Sequence, residues 1–182
     1  MSIDILDHVV LVDELDAPIG SMEKLEAHMK GVLHRAFSIF IFNDRDELLI
    51  HRRALEKYHS GGLWTNTCCS HPRPGELDIE AATRRLKEEM GFSCELQKVT
   101  SFIYRAHFDN GLIEHEFDHI WTGNYNDDPI PDPSEVEEWK YISLDVLNVE
   151  LDKHPENFSV WFQLAMPKIM DWKRNNNNAT LS

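Results

Sequence analysis

Three carboxylates alternate along one short, strand-like segment. Glu114, Glu116 and Asp118 fall within residues 112–118, and alternate side chains of a strand share one face. Carboxylates packed side by side repel one another, so the arrangement needs a metal ion, a proton or solvent to be tolerated. The alternative to a cation site is a solvent-exposed acidic face, because antiparallel sheets often leave one side in water.

Three histidines could complete a cation site. His28, His34 and His71 each adjoin turn or strand-edge sequence, and neutral imidazole is the commonest metal ligand in proteins. Together with Glu114 and Glu116 they would suit an octahedral or distorted site for Zn²⁺, Mn²⁺ or Mg²⁺ rather than a closed structural zinc site. Taken singly, each histidine is more readily explained as a surface or hydrogen-bonded residue, so only the joint pattern indicates a metal.

A thiol stands two residues before one of these histidines. Cys68 and Cys69 are adjacent and His71 follows them. Adjacent cysteines cannot both face one pocket in an extended chain, so at most one is expected to be reactive. The alternatives are a buried structural thiol and a pair of zinc ligands.

The charge of the chain is strongly acidic but unevenly distributed. The formal net charge is −14 over 182 residues, which argues against nucleic acid as a partner. Arg53, Lys57 and Arg85 lie in a locally basic stretch and would supply the cations that hold a diphosphate. Glu88 and Glu89 beside Arg85 are also explained by paired surface charges on a helix.

Turn and capping residues indicate the elements that must position these groups. Asp78 is a suitable N-cap for a helix that ends at Gly91, a C-cap glycine. Residues 109–111, Asp-Asn-Gly, predict a hairpin turn, Ser143 is expected to cap a further helix, and Pro167 is expected to kink the last one. The predicted elements, in chain order, are strands at 6–12, 34–42 and 48–50, a loop at 56–76, the helix from 78, strands at 92–108, 112–121 and 139–142, and a final helix at 156–174.

This order of elements predicts a single domain at 1–174 with α+β or α/β sandwich architecture, followed by a disordered tail at 175–182. Residues 1–16 contain acidic residues but no Lys or Arg, the opposite of a secretory signal. The longest apolar runs are too short to span a bilayer, and three cysteines outside a secretory context do not suggest a disulfide framework. We therefore expect a cytoplasmic protein with no membrane partner.

Taken together, these segments resemble type 1 isopentenyl-diphosphate delta-isomerases, enzymes of the Nudix fold, from about Asp13 to Trp161. The motifs that carry the resemblance are HRAFS at 34–38, RRA at 52–54, TNTCCSHP at 65–72, YRA at 104–106, EHE at 114–116 and FSVW at 158–161. The resemblance implies an α/β/α sandwich with a mixed central sheet flanked by helices. Residues 58–62, Tyr-His-Ser-Gly-Gly, depart from the family's aromatic-Pro-Gly pattern.

A Nudix box, G-x5-E-x7-R-E-U-x-E-E-x-G-U with U apolar, is also recognisable across residues 70–92. Ser70 replaces its opening Gly, and Arg85 replaces the Glu that follows its Arg. The matching positions are Glu76, Arg84, Leu86, Glu88, Glu89, Gly91 and Phe92. The box therefore lacks a carboxylate that normally binds the metal ions used in hydrolysis, and it has a cation in that place. This change favours an isomerase over a Nudix-type diphosphate hydrolase.

The resemblance also implies a role for each candidate residue. A divalent metal, Mn²⁺, Mg²⁺ or Zn²⁺, would be bound by His28, His34, His71, Glu114 and Glu116. A Mg²⁺ that arrives with the substrate would be held by Glu89 and the backbone carbonyl of Cys69. The diphosphate would be gripped by Lys24, Arg53, Lys57 and Arg85. The hydrocarbon would be flanked by Cys69, Glu116 and Tyr104 and covered by Trp161.

The implied activity is the interconversion of isopentenyl and dimethylallyl diphosphate in isoprenoid biosynthesis, by a monomer or weak homodimer acting on a small molecule. Two alternatives stay open at the level of sequence. One is the Nudix-type diphosphate hydrolase, and the other is a non-catalytic module that binds metal or diphosphate.

Overall fold

The structure is a computed structural model, and it describes residues 7–180, with side chains described through residue 176. Within that range the chain forms nine strands and four α-helices. Their bounds are β1 His8–Val12, β2 Pro18–Glu23, α1 Lys24–Lys30, β3 His34–Phe42, β4 Glu47–Arg53, β5 Trp64–Thr65, β6 Cys68–Ser70, α2 Asp78–Met90, β7 Gln97–His107, β8 Ile113–Asn124, β9 Val136–Ser143, α3 Leu144–Lys153 and α4 Val160–Thr180, with a 3-10 turn at Pro155–Asn157.

The strands form one mixed sheet with β3 at its centre. β3 runs parallel to β8 along its whole length and antiparallel to β1, β4 and β6. β7 extends the sheet beyond β8, and β9 pairs with β4. Parallel pairing of β3 with β8 requires a long crossover connection between the two strands. The chain between them provides this connection and includes α2. The predicted α+β class with a mixed central sheet is confirmed.

Two apolar clusters fill the two faces of this sheet. Phe40 and Phe42 of β3 pack on one face with α4 residues that include Phe162. Phe37 and Ile39, which alternate with them, pack on the other face against α2. Because β3 is buried on both faces, it reads as a nearly continuous apolar run. The layers are therefore helix, sheet and helix. Burial of each Phe side chain stabilises the fold by roughly 1.5–3 kcal/mol relative to leaving it exposed to water.

The helix predicted from Asp78 to Gly91 is present as α2, but its N-cap is Leu77. Asp78 is the first helical residue, and its carboxylate lies 3.5 Å from the Arg35 guanidinium instead of capping the helix. Gly91 ends α2 in the left-handed conformation with φ 79°. A Cβ at this position would lie 2.2 Å from the Ile130 carbonyl oxygen, so both the backbone conformation and the space require glycine.

Several predicted boundaries change. The loop predicted at 56–76 contains two short strands, β5 and β6, because their backbones pair with β4 and β3. The strand predicted from Phe92 begins at Gln97. Ser143 caps α3 as predicted, since its hydroxyl accepts from the Val146 amide.

The C-terminal helix also differs from the prediction. α4 begins at Val160 after a separate 3-10 turn and runs past Pro167 to Thr180, where the sequence predicted a disordered tail from 175. Asparagine favours caps and turns, but adding residues to an existing helix costs far less than starting one. Residues 181–182 lie outside the described range. Among the described residues, none of the helices combines the length and the apolar composition that a membrane span requires.

An ion pair anchors the loop before α2 to the helix itself. Arg84 donates through Nε to Glu76 Oε1 at 2.7 Å and through a terminal nitrogen to Glu76 Oε2 at 2.9 Å. This bidentate contact lowers the pKa of Glu76 below its ordinary value of 4.5. Its stabilisation is therefore present above the pKa of the unfolded chain and is lost as pH falls through the folded value.

Glu76→Gln is expected to reduce the free energy of unfolding by about 1 kcal/mol near neutral pH, the upper end for partly exposed pairs. Urea titrations at neutral pH and at about pH 3 would measure it, since the difference should shrink once the carboxylate of Glu76 is protonated. Glu95→Gln, which changes an exposed glutamate, serves as the matched control. An equal loss at both pH values would contradict the ionic origin.

Candidate active site

One pocket gathers most of the predicted site residues. Its empty volume is about 650 Å³, a figure that includes open solvent at the mouth. The predicted residues that line it are Lys24, Arg53, Lys57, Cys69, His71, Arg85, Glu89, Tyr104, Glu114, Glu116 and Trp161. The other two, His28 and His34, are fully buried and lie beside Glu114 and Glu116.

Three imidazoles converge on one carboxylate. His28 comes from α1, His34 opens β3 and His71 follows β6. Their nitrogen atoms and an oxygen of Glu116 all lie within 4.8 Å of one another. The parallel register that places His34 beside Glu116 brings together residues far apart in the chain.

Backbone carbonyls orient two of these imidazoles. His28 Nδ1 lies 2.6 Å from the Lys24 carbonyl oxygen, and His34 Nδ1 lies 2.8 Å from the Val32 carbonyl oxygen. A ring that donates from Nδ1 presents a lone pair at Nε2. Both Nε2 atoms are buried, and neither has a hydrogen-bond partner among the described residues.

This donor set fits a divalent metal. The orphaned His28 Nε2 lies 3.5 Å from Glu114 Oε2, and His34 Nε2 lies 3.6 Å from Glu116 Oε1. Two atoms bound to one ion at roughly 2.1 Å each are separated by roughly 3–3.5 Å, so these spacings suit ligands of a single ion. Burial lowers the pKa of His71 to about 4, which keeps its ring in the neutral form that binds metals.

The three carboxylates of β8 share one buried face, as predicted. Glu114, Glu116 and Asp118 are 3%, 7% and 0% exposed, which excludes the solvent-exposed acidic face. Burial raises the pKa of Glu116, but the His34 and His71 contacts outweigh it and hold the value well below normal. Burial and the charge of Glu116 raise the pKa of Asp118 well above normal, and Ser38 donates to it at 2.8 Å. A protonated Asp118 relieves the repulsion along the strand.

The two oxygens of Glu116 have different partners. Oε1 faces the imidazoles, with His71 Nε2 at 2.8 Å. Oε2 accepts a hydrogen bond of 2.6 Å from the Tyr104 hydroxyl, which is positioned by the direct pairing of these two residues across β7 and β8. Glu116 therefore belongs to the candidate metal cluster on one side and to the pocket on the other.

Tyr104→Phe removes the donor to Glu116 Oε2 and retains the buried ring. Hydrogen-bond donors that hold a metal-binding carboxylate in place typically contribute 10- to 100-fold to activity or metal affinity. We expect a loss of about that size in kcat. Steady-state turnover with isopentenyl diphosphate, the substrate that the sequence resemblance implies, would measure it, and circular dichroism would check that the variant is folded. Unchanged turnover would show that this hydrogen bond has no functional role.

The paired cysteines point to opposite sides of the sheet, as predicted. Cys68 is fully buried in the α2-side cluster, and Cys69 lines the pocket. Burial raises the pKa of Cys69 to about 12, although Arg53 opposes the shift. Cys69 is therefore a neutral thiol near physiological pH, a form that carries a proton to donate.

Trp161 is a buried aromatic residue that lines the pocket. It is 3% exposed, and the Arg53 guanidinium lies over its ring at 5.1 Å from the centroid. A ring that already accepts one cation against its π face is suited to stabilise positive charge nearby.

Four cations line the pocket, and two of them are held by a glutamate that the sequence did not single out. Lys57 and Arg85 both bind Glu135, and Arg85 also binds the buried Glu89. Burial, reinforced by the charges of Lys57 and Arg85, lowers the pKa of Lys24. This crowding of positive groups indicates a site for an anion.

Comparisons with known proteins show which family the chain is similar to. The NUDIX domain model matches residues 32–163. An isopentenyl-diphosphate Delta-isomerase 2 of Aromatoleum aromaticum is 51% identical over 164 residues, covering 90% of this chain and 87% of that protein. An isopentenyl-diphosphate Delta-isomerase of Pectobacterium atrosepticum is 53% identical over 167 residues, covering 92% of this chain and 93% of that protein.

This chain belongs to the isopentenyl-diphosphate Delta-isomerase family of NUDIX-domain proteins. The predicted resemblance is confirmed, and the isomerase is favoured over the diphosphate hydrolase. A solved structure from Deinococcus radiodurans matches with a TM-score of 0.74 at 17% identity, covering 88% of this chain and 98% of that one. A MutT protein from Methanosarcina mazei matches with a TM-score of 0.64 at 17% identity, covering 79% of this chain and 95% of that one. At such identity these structures show the fold alone.

The lining residues that sequence reasoning missed include Tyr58, His59 and Glu135. The signal for the first two was the departure at residues 58–62 from the family pattern. Glu135 lies in an acidic loop and carries no local signal, because its role depends on Lys57 and Arg85 reaching it from elsewhere.

A second ionic cluster lies away from this pocket. His119 Nε2 is 2.9 Å from Asp16 and 3.7 Å from Asp78, and Arg35 contacts both carboxylates. Because Arg35 already supplies a positive charge to the pair, the cluster is explained as a link between the β1–β2 turn and the start of α2.

Proposed function

We propose that this protein interconverts isopentenyl diphosphate and dimethylallyl diphosphate in isoprenoid biosynthesis. The observation that carries the proposal is that a neutral thiol, Cys69, and an ionised carboxylate, Glu116, line one pocket whose cations fit a diphosphate. The names of relatives at about half identity agree with it.

The reaction requires a proton to be added at one carbon of the alkene and another to be removed at a second carbon. An unactivated alkene is a very weak base, so the site needs a positioned acid, a base and little water. Cys69 and Glu116 supply these two groups, and Tyr104 exchanges protons with Glu116 through its 2.6 Å hydrogen bond. The π face of Trp161 stabilises the carbocation-like intermediate between the two steps.

The cations hold the diphosphate and fix the position of its short hydrocarbon. Arg53 and Arg85 provide planar donors for bidentate contacts, and Lys24 and Lys57 add point charges. Binding energy from the diphosphate then orients the five carbons between the acid and the base. Arg85 and Lys57 must exchange Glu135 for phosphate oxygens, or bind both.

Two divalent metals are part of the proposal. His28, His34, His71, Glu114 and Glu116 would hold Mn²⁺, Mg²⁺ or Zn²⁺, and Glu89 with the Cys69 carbonyl would hold a Mg²⁺ that accompanies the diphosphate. A bound cation at the first site lowers the proton affinity of nearby groups and fixes the orientation of its carboxylate ligands. Glu89 suits the second role because it is buried at the edge of the pocket and already lies against Arg85.

A product assay distinguishes this function from the alternatives. Protein supplied with Mg²⁺ and Mn²⁺ should convert isopentenyl diphosphate to a mixture with dimethylallyl diphosphate and release no phosphate. Mass spectrometry after chromatographic separation measures the isomers, and a phosphate assay with nucleoside diphosphate derivatives tests hydrolysis. Phosphate release without isomerisation would support the hydrolase, and metal binding without turnover would support a binding module.

A further inference from the structure

His59 lines the pocket and falls in the segment that departs from the family pattern. It is 7% exposed, and its ring stacks on Phe108 with centroids 4.8 Å apart. It also meets the Trp161 ring edge-on at 5.8 Å. Its backbone carbonyl accepts from Arg53 at 3.4 Å. His59 therefore contacts Trp161, which is assigned to the hydrocarbon, and Arg53, which is assigned to the diphosphate.

The closest polar contact of His59 is with Glu114. His59 Nε2 lies 2.8 Å from Glu114 Oε1. The other oxygen, Glu114 Oε2, is buried, has no hydrogen-bond partner in the described chain, and faces the orphaned His28 Nε2 at 3.5 Å. One oxygen of Glu114 therefore lies within hydrogen-bonding distance of His59, and the other faces the metal cluster.

This arrangement repeats the one at Glu116. There the Tyr104 hydroxyl occupies Oε2, and Oε1 faces the imidazoles. Metal-binding carboxylates are commonly held by an outer hydrogen-bond donor in this way, and loss of the donor typically costs 10- to 100-fold in metal affinity or activity. Each of the two glutamates has one such donor.

The neighbouring Ser60 side chain can determine which ring nitrogen of His59 donates. His59 Nδ1 lies 3.2 Å from the Ser60 hydroxyl, which can donate to that nitrogen and leave the ring proton on Nε2. Ser60 has φ 53°, a left-handed conformation that is uncommon for serine. A Cβ on Gly61 would lie 2.4 Å from the Leu55 carbonyl oxygen, so this loop is fixed in place by close backbone packing.

We propose that His59 is a positioning residue for the metal site, which donates from Nε2 to Glu114 Oε1 and thereby directs Glu114 Oε2 to the divalent cation. This role rests on the proposed function only in its use of the same metal site. In this role His59 acts through Glu114 and is not itself a ligand. Its ring also lies within 4.8 Å of the His28 and Glu114 donor atoms, so direct binding of the ion is the competing outcome, which equal losses in the Leu and Gln variants described below would indicate.

Metal titration of the dialysed full-length protein tests the role without any turnover. His59→Leu removes the donor and keeps an apolar side chain, and we expect its affinity for Mn²⁺ to fall 10- to 100-fold. His59→Gln retains an amide donor and should bind within about threefold of wild type. His107→Leu changes an exposed histidine of β7 and should leave affinity unchanged. Binding by His59→Leu as tight as wild type would overturn the proposal, as would equal losses in the Leu and Gln variants.

A double-mutant cycle with Glu114 tests separately whether the effect of His59 on metal affinity acts through that carboxylate. In a Glu114→Gln background, His59→Leu should cause no further loss of Mn²⁺ affinity, because the interaction has already been removed. Additive losses would contradict coupling between the two side chains. The spectrum of bound Co²⁺ should change in His59→Leu and be restored in His59→Gln, which a merely structural defect would not produce. If metal binding behaves as expected but isomerisation is absent, the proposed function fails and the role of His59 stands.

Discussion

Replacing Cys69 with alanine is expected to lower kcat by roughly 10²–10⁴-fold, the usual contribution of a positioned acid or base. The thiol is neutral because burial raises its pKa to about 12, so it can carry the proton that an alkene must receive. Alanine keeps the backbone carbonyl of residue 69, so a Mg²⁺ held by that carbonyl should be retained. Metal content and melting temperature should therefore remain close to wild type.

Cys94→Ala is the matched control for this experiment. Cys94 is half-buried and packs with the cluster on the α2 side of the sheet, away from the pocket. Turnover, metal content and thermal unfolding should all be measured for both variants. Full activity in Cys69→Ala would remove the thiol from the mechanism.

Glu116→Gln is expected to cause the second large loss, again roughly 10²–10⁴-fold in kcat. The amide is nearly isosteric but carries no charge and cannot accept a proton as a carboxylate does. Unlike the cysteine variant, it should also weaken Mn²⁺ binding, because Glu116 Oε1 faces the imidazole cluster. The two variants thus separate loss of proton transfer from loss of metal.

Glu137→Gln provides the control, since Glu137 is exposed on β9. Isomerisation rates and Mn²⁺ affinity should be measured at matched free metal concentrations, so that weaker binding does not mask the rate effect. Glu116→Gln protein with wild-type kcat under saturating metal would contradict the assignment of Glu116 to the reaction.

Local patterns predicted much of this site. Alternation along β8 placed Glu114, Glu116 and Asp118 on one face, and the same rule put Cys68 and Cys69 on opposite sides. The helix that ends at Gly91 follows from apolar spacing and the need for a left-handed residue. Each of these features depends on neighbours within a few residues.

The features that sequence patterns could not predict depend on distant parts of the chain. Strand β6 exists because its backbone pairs with β3, and residues 68–70 carry no strand signal that would distinguish them from a loop. His59 and Glu135 acquire their roles from Glu114 and Lys57, which reach them through the tertiary fold. Taken singly, His28, His34 and His71 favoured ordinary histidines, and only their joint pattern and the family resemblance indicated that they converge.

The central claim is that the pocket moves a double bond by adding one proton and removing another. The most direct test is to incubate wild-type protein and Cys69→Ala in D₂O with isopentenyl diphosphate, Mg²⁺ and Mn²⁺, and to follow carbon-bound deuterium by NMR. The account predicts that wild-type protein incorporates deuterium into dimethylallyl diphosphate and, by reversal, into the substrate pool, without releasing phosphate. Isomer formed without carbon-bound deuterium, or phosphate released in place of isomer, would contradict it.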